Sequence, residues 1–262
     1  MFHYTKAVVR VMPRILAIYL FKLTRYGKNP TKYDRVKRFA LMRKLSQKIL
    51  LAFDAEITVF GLENLPKDTN FCMVANHMSM IDPLPFMVNY DKPLTFVAKQ
   101  ELLKMPMVPK AFNSIEGECI DRDNLRQSLK VMMRVEEDLK KGEKSWMIFP
   151  EGTRIRDQLL PVQPFHHGTF RPGTKAGVPI VPAAIYGSFR LLKNKPQFKK
   201  YPILISFLKP ITVEEYAHKP TCDIALMCQQ AIQREITYHL RPLDHKIMSE
   251  SKDKKYIFTQ VL

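Results

Sequence analysis

A histidine and a carboxylate stand five positions apart in Asn76-His77-Met78-Ser79-Met80-Ile81-Asp82-Pro83. A carboxylate bonded to an imidazole fixes its tautomer and raises the basicity of the other ring nitrogen, which is what a general base at neutral pH needs. On one continuous helix, five positions is about 500°, which leaves the two side chains roughly 140° apart. His77 and Asp82 therefore meet only if a turn doubles the chain back. The apolar run Phe71-Cys72-Met73-Val74-Ala75 just before has the length and texture of a buried strand. Asp82-Pro83 is also how a helix begins, with Asp at the N-cap and Pro at the first helical position. From this stretch alone, a general base and a hydrogen-bonded structural histidine both remain open.

Three further stretches carry charge at the end of an apolar run. In Gly117-Glu118-Cys119-Ile120-Asp121-Arg122-Asp123-Asn124, an arginine follows a candidate strand, and Asp123 or Asn124 can cap the next helix. Arginine grips phosphate through a planar fork and keeps its charge; a surface pairing of Arg122 with Asp121 or Asp123 is the plainer alternative. In Phe149-Pro150-Glu151-Gly152-Thr153-Arg154, charge appears at the very end of an apolar strand. Gly152 permits an unusual backbone angle or a close ligand approach. Arg154 is a second candidate phosphate ligand. Glu151 either orients that arginine or binds acceptor hydroxyls, and Gly152 and Thr153 complete the expected substrate-binding turn. The fourth stretch, Val178-Pro179-Ile180-Val181-Pro182, has two prolines in an apolar run, which suggests a sheet edge or a strand entrance and a shaping role, such as the wall of an acyl groove.

The elements that must position these residues are short β-like runs over 56–60, 71–75, 94–98, 114–120, 145–149, 178–186 and 202–208. Helical patterns fall between them at 84–90, 100–111, 124–141 and 168–176, and an amphipathic helix is expected over 223–241 before a charged tail. This alternation predicts an α/β fold, a mainly parallel central sheet flanked by helices. Chemistry in such sheets collects at the carboxyl ends of the strands, and His77, Arg122 and Glu151 each stand just past one.

Residues 1–53 read differently, as a basic amphipathic helical pair ahead of an α/β domain over 54–262. Lys6, Arg10, Arg14, Lys22 and Arg25 fall in a sector roughly 160° wide at about 100° per residue, with apolar side chains filling most of the rest. The longest uncharged stretch there, 15–21, is far short of the roughly 20 residues that span a bilayer, so residues 1–26 are expected to lie in a membrane interface. The plainer alternative, a helix packed on the protein's own core, stays open. Gly27-Lys28-Asn29-Pro30 breaks this helix, and Thr31 is a candidate cap for a second one over 32–53.

Lysine and arginine number 42 against 25 acids, a net charge of +17, which calls for an anionic partner. Nucleic acid is one class that such a charge serves, but much of the excess lies opposite an apolar face in the first 48 residues, which suits an anionic membrane better. A metallohydrolase built on His77, Asp82, His166 and His167 lacks the usual ligand spacing. The four cysteines, Cys72, Cys119, Cys222 and Cys228, show no metal or disulfide spacing and read as reduced, buried thiols.

Taken together and in order, the four stretches resemble the glycerolipid acyltransferase family, most of all the bacterial 1-acyl-glycerol-3-phosphate acyltransferases, over about residues 56–210. The pattern departs at Cys119, where an aromatic residue is usual, and at Phe165-His166-His167-Gly168, where the family usually carries lysine before the glycine. The resemblance implies that His77, oriented by Asp82, takes the proton from the acceptor's 2-hydroxyl. The alkoxide then attacks a fatty acyl thioester on coenzyme A or acyl carrier protein, with no acyl-enzyme step and no metal or redox cofactor. It also implies that Arg122, Arg154 and Lys99 face the phosphate of lysophosphatidic acid, Lys99 alternatively serving the oxyanion. Glycerol 3-phosphate and lysophospholipids are acceptors of relatives. The expected place of work is the cytoplasmic face of the cell membrane, by monotopic attachment.

Overall fold

The computed structural model describes residues 18–121, 123–154, 161–192 and 200–253 of the 262. Most of the helix expected over 1–26 lies outside them, as does Arg122. Within them, a π-helical turn Tyr19–Leu23 runs into helix α1, Thr24–Lys28, which ends before Asn29 as the Gly-Lys-Asn-Pro break predicts. Helix α2 covers Arg35–Ala52. Its cap is Asp34, whose side chain accepts from the Lys37 N–H at 2.8 Å, rather than Thr31, which falls in a 3-10 turn over Pro30–Lys32. The order continues β1 (Ala55–Phe60), β2 (Cys72–Ala75), α3 (Pro83–Val88), β3 (Leu94–Lys99), α4 (Val108–Ser114), β4 (Glu118–Ile120), α5 (Leu125–Lys141) and β5 (Ser145–Ile148). It closes with α6 (Arg171–Ala176), β6 (Ile180–Tyr186), β7 (Tyr201–Phe207), α7 (Val213–Tyr216), α8 (Thr221–Glu235) and α9 (Arg241–Asp253).

The strands form one seven-stranded sheet in the order β1-β7-β6-β2-β5-β3-β4. Five neighbours, β6, β2, β5, β3 and β4, run parallel; β7 joins β6 antiparallel, and β1 pairs parallel with β7. The expected α/β fold with a mainly parallel sheet is thus the observed one. Both faces of the central strands are covered, which is why β2 and β5 read as unbroken apolar runs. Met73 and Ala75 bury into one layer with α2, α3 and α4, while Cys72 and Val74 bury into the other with α5, α6 and α8.

Several local expectations change. Only Glu118–Ile120 of the run 114–120 is strand, because helix α4 continues through Ser114. The pattern over 100–111 divides into a 3-10 turn, Gln100–Lys104, and α4; Met107 between them has φ 68°, which no α-helix accommodates. Of the two readings of the proline-bearing run, Pro179 meets the strand entrance, standing just before β6, but the edge fails: β6 lies between β7 and β2. Pro182 is tolerated there because the named antiparallel ladder with β7 ends at Ala183, and Pro182 is left only to accept, its carbonyl taking the Leu208 N–H at 2.9 Å. The helix expected over 223–241 passes through a π-helical turn, Ile236–Leu240, into α9, so the charged tail is helical over 249–253, and its remainder lies outside the described residues. Among the thiols, Cys72 and Cys228 are buried, but Cys119 is half-buried and Cys222 exposed.

Helix α2 is built into the main core. Phe39, Met42, Leu45 and Leu50 bury in the layer that covers the sheet, and the helix packs on α3 and β1. Arg38, 2% exposed, donates to the carbonyls of Tyr33 and Ser114 and to Glu116. Helix α1 docks on α4 through Gly27, where a β-carbon would stand 2.4 Å from the Lys110 carbonyl oxygen. Among the described residues no helix is long and apolar enough to cross a membrane.

Candidate active site

The sheet register places the chemistry. Val74 of β2 pairs with Ile148 of β5, and His77 and Glu151 stand equally far beyond that pair. Phe96 of β3 pairs with Met147, which brings Lys99 to the same edge, and Lys99 pairs in turn with Ile120 of β4. Four adjacent parallel strands thus open their carboxyl ends side by side; His77 and Glu151 follow β2 and β5, and Lys99 is the last residue of β3.

After β2 the chain leaves the sheet through Asn76–Ser79 and turns at Met80–Asp82, where the Asp82 N–H donates to the Ser79 carbonyl at 3.1 Å, and α3 follows with Pro83 at its first position. Both sequence readings of Asp82 meet here, with different atoms. Its backbone occupies the N-cap position, but its side chain makes no cap bond to α3. The carboxylate instead reaches back, and Oδ2 accepts from the N–H groups of Met78 at 2.7 Å and Ser79 at 2.8 Å. The same oxygen lies 2.8 Å from His77 Nδ1. An oxygen that accepts twice from backbone donors can only accept from the ring, so Nδ1 carries the proton and Nε2 is the basic nitrogen. Asp82 is fully buried and the His77 side chain 18% exposed, which keeps the carboxylate dry and the ring within reach of solvent. The Phe149 ring stacks on the imidazole at 4.2 Å.

Glu151 does not orient an arginine. Its Oε1 accepts from the His77 N–H at 2.7 Å and its Oε2 from the Gln163 N–H at 2.9 Å. The side chain is 4% exposed. Burial pushes its carboxyl up to about 7; the Gln163 and His77 N–H groups pull against this, and the charge of Asp82 adds to it. Glu151 therefore ties the histidine turn to the segment that begins at Pro161. Gly152 meets its expectation, with φ 67°, where a β-carbon is strained. Thr153 and Arg154 are exposed at the mouth of this turn. Lys99, also exposed, pairs with Glu101 at 2.5 Å.

The approach to Arg122 is tethered by α5. Asn124 caps that helix, its side chain accepting from the Gln127 N–H at 3.0 Å. Gln127 and Ser128 then hold the preceding loop: Gln127 accepts from the Asp121 N–H at 2.9 Å and donates to the Cys119 carbonyl at 2.8 Å, and Ser128 donates to the Asp121 carbonyl at 2.8 Å. Burial raises the Cys119 thiol to about 11, so it is no ready nucleophile. His166 and His167 are exposed, and His167 Nδ1 lies 3.4 Å from the Thr221 hydroxyl. Among the described residues no group of three or more His, Cys, Asp or Glu side chains gathers at metal-binding range, so the four-residue metallohydrolase cluster is not assembled.

Sequence reasoning missed the supports. Asn76, buried next to the base, bonds Ile185 of β6 in both directions, donating to its carbonyl at 2.9 Å and accepting from its N–H at 2.8 Å. Gln229 and Gln233, one turn apart on α8, hold the carbonyl and N–H of Val162. An asparagine beside the histidine was visible as a polar residue in an apolar run; nothing local marked the two glutamines.

A His–Asp pair stands at the carboxyl edge of a mostly parallel sheet, with the ring proton on the carboxylate side, a geometry that suits general-base chemistry on an α/β scaffold. The chain belongs to the acyltransferase family, whose sequence model matches residues 56–186. Its relatives include the probable 1-acyl-sn-glycerol-3-phosphate acyltransferase of Mycoplasma pneumoniae, 30% identical over 217 residues, covering 78% of this chain and 80% of that one. The 1-acyl-sn-glycerol-3-phosphate acyltransferase of Saccharomyces cerevisiae is 26% identical over 228 residues, covering 78% and 74%. The crystal structure of the 1-acyl-sn-glycerophosphate (LPA) acyltransferase PlsC from Thermotoga maritima superposes with a TM-score of 0.68 at 23% identity, covering 89% of this chain and 96% of that one, a likeness of fold.

Proposed function

We propose that the protein transfers a fatty acyl group from an acyl thioester to the sn-2 hydroxyl of 1-acyl-glycerol-3-phosphate. The observation that carries this reading is the single Asp82 oxygen held by His77 Nδ1 and by two backbone N–H groups. It leaves Nε2 as the base. His77 takes the hydroxyl proton as the oxygen attacks the thioester carbonyl, and the resulting tetrahedral oxyanion collapses with loss of the thiolate. The imidazolium returns its proton to that thiolate, so the enzyme ends as it began and no acyl-enzyme forms. The names of the relatives support lysophosphatidate as the acceptor. Arg122 and Arg154 grip its phosphate, and Lys99 exchanges Glu101 for phosphate or the oxyanion. Gly152 and Thr153 form the turn against which the acceptor lies. The donor is acyl-coenzyme A or acyl carrier protein, no metal or redox cofactor takes part, and the protein works as a peripheral, monotopic enzyme on the cytoplasmic face of an anionic membrane.

The test is thiol release from either donor, with 1-acyl-glycerol-3-phosphate, glycerol 3-phosphate and a lysophospholipid supplied in parallel. Release that requires lysophosphatidate and falls on the order of a thousandfold in His77→Ala is expected. Full activity in His77→Ala overturns the base; a preference for another acceptor overturns the substrate.

A further inference from the structure

The helix that follows β4 carries a surface that the proposed reaction does not use. Helix α5 begins at the carboxyl edge of the sheet and runs away from it. Its buried face is Val131, Val135 and Leu139. Its outward face repeats an apolar residue every four positions: Leu125 is 73% exposed, Leu129 48% and Met133 57%. At about 1.5 Å per residue these make a stripe roughly 12 Å long, and a four-residue step drifts by only about 40°. Three large exposed apolar side chains aligned on one helix are unlike scattered surface apolar residues.

Charge along the helix names the occupant. Arg126 and Lys130, both exposed, flank the stripe near the site, and among the described residues neither pairs with a carboxylate. Acids enter only further down, at Glu136, Glu137 and Asp138, beyond the stripe. Arg134, at the boundary, is already held by Glu118 through two bonds of 2.7 Å. The half of the helix beside the site is apolar and cationic, whereas the half away from it carries both signs, with Glu136 paired to Lys140 at 2.6 Å and Asp138 to Lys144 at 2.8 Å. In the turn after the neighbouring β3, exposed Leu103 and Lys104 repeat the same pairing at the same edge.

We propose that the first turns of α5, through Leu125, Leu129 and Met133 with Arg126 and Lys130, dock the carboxyl edge of the sheet on an anionic lipid bilayer. The leucines and the methionine enter the boundary of the acyl region and the two cations meet lipid phosphates. The unpaired cations and the apolar stripe both lie on the first turns, beside the site, so the surface seats the site mouth. This contact uses none of residues 1–26, and it stands whichever phospholipid the site acylates.

The experiment uses the full chain and compares wild type with Leu125→Gln/Leu129→Gln/Met133→Gln and with Arg126→Gln/Lys130→Gln. All five side chains are exposed, so both variants keep the fold, checked by circular dichroism. Sedimentation with phosphatidylglycerol–phosphatidylcholine vesicles is the primary readout, and it needs no activity. The triple variant is expected to lose about tenfold or more in partitioning. The double variant is expected to lose the preference for phosphatidylglycerol over pure phosphatidylcholine. If the enzyme acylates lysophosphatidate, the triple variant keeps its rate on a short-chain, monomeric acceptor and loses it on vesicles. Wild-type partitioning by the triple variant overturns the proposal. So does unchanged vesicle binding with turnover lost only on acyl carrier protein donors, which assigns the stripe to an acidic protein.

Discussion

At the scale of the residue, two carboxylates beside one histidine divide the labour by environment. Asp82 spends one oxygen on the ring and on two backbone donors. Replacing it with Asn frees the ring to adopt the other tautomer, so kcat is expected to fall on the order of a thousandfold with little change in acceptor KM. Steady-state kinetics on Asp82→Asn check this. Glu151 is poised differently, since burial pushes it to about 7. Only its ionised form accepts from both His77 and Gln163, because a protonated carboxyl turns one oxygen into a donor. The rate is therefore expected to rise with pH through an ionisation near 7 that Glu151→Gln lacks, as a pH–rate profile reads out. Stability runs the other way. The carboxyl is raised from its ordinary 4.5, so its contribution is whole below 4.5 and lost as pH climbs through 7. Urea denaturation across that window is expected to show Glu151→Gln gaining on wild type.

At the scale of the element, helix α2 and the turn before β4 are joined by charge. Glu116, at φ 56°, accepts from Arg35 at 2.8 Å and Arg38 at 3.1 Å, with Lys144 at 4.0 Å. Burial works against its ionised form, but Arg35, Lys144 and Arg38 outweigh burial and hold it at about 2. A depressed carboxylate contributes stability that is present above about 4.5 and lost as pH falls toward 2. Glu116→Gln leaves the buried Arg38 short of its partner and is expected to cost about 3 kcal/mol at neutral pH. It is also expected to flatten the acid limb of the stability curve between pH 4.5 and 2. The sequence announced α2 as a helix from its apolar spacing. It did not announce this attachment, because Arg38 and Glu116 are 78 positions apart and no local pattern couples them.

At the scale of the whole molecule, net charge of +17 and the stripe on α5 act toward the same kind of partner. Deleting residues 1–17 is expected to weaken binding to phosphatidylglycerol vesicles while leaving the sheet and α2 folded. Combining the deletion with the triple substitution on α5 is expected to abolish it. Sedimentation of the two variants in parallel, with thermal unfolding as the control for fold, measures both outcomes. Unchanged binding in the deletion removes the interface role of that segment and leaves the one on α5 to be judged separately.

By itself the sequence determined what local spacing encodes. Strand–helix alternation marked the α/β fold. The turn that joins His77 to Asp82 was legible because a helix cannot bring those positions together and a doubled-back chain can. Gly152 was legible because few other residues take its backbone angle. Only the tertiary structure decided what depends on neighbours far along the chain. The register of β2 against β5 aims Glu151 at the His77 backbone instead of at Arg154. The central place of β6 contradicts the edge that its prolines suggested, since only one ladder bond is lost where β7 ends. The core position of α2, and the outward turn of Leu125, Leu129 and Met133, depend on which helix face meets the sheet. Hydrophobic pattern states that a residue is apolar; packing alone states whether anything covers it.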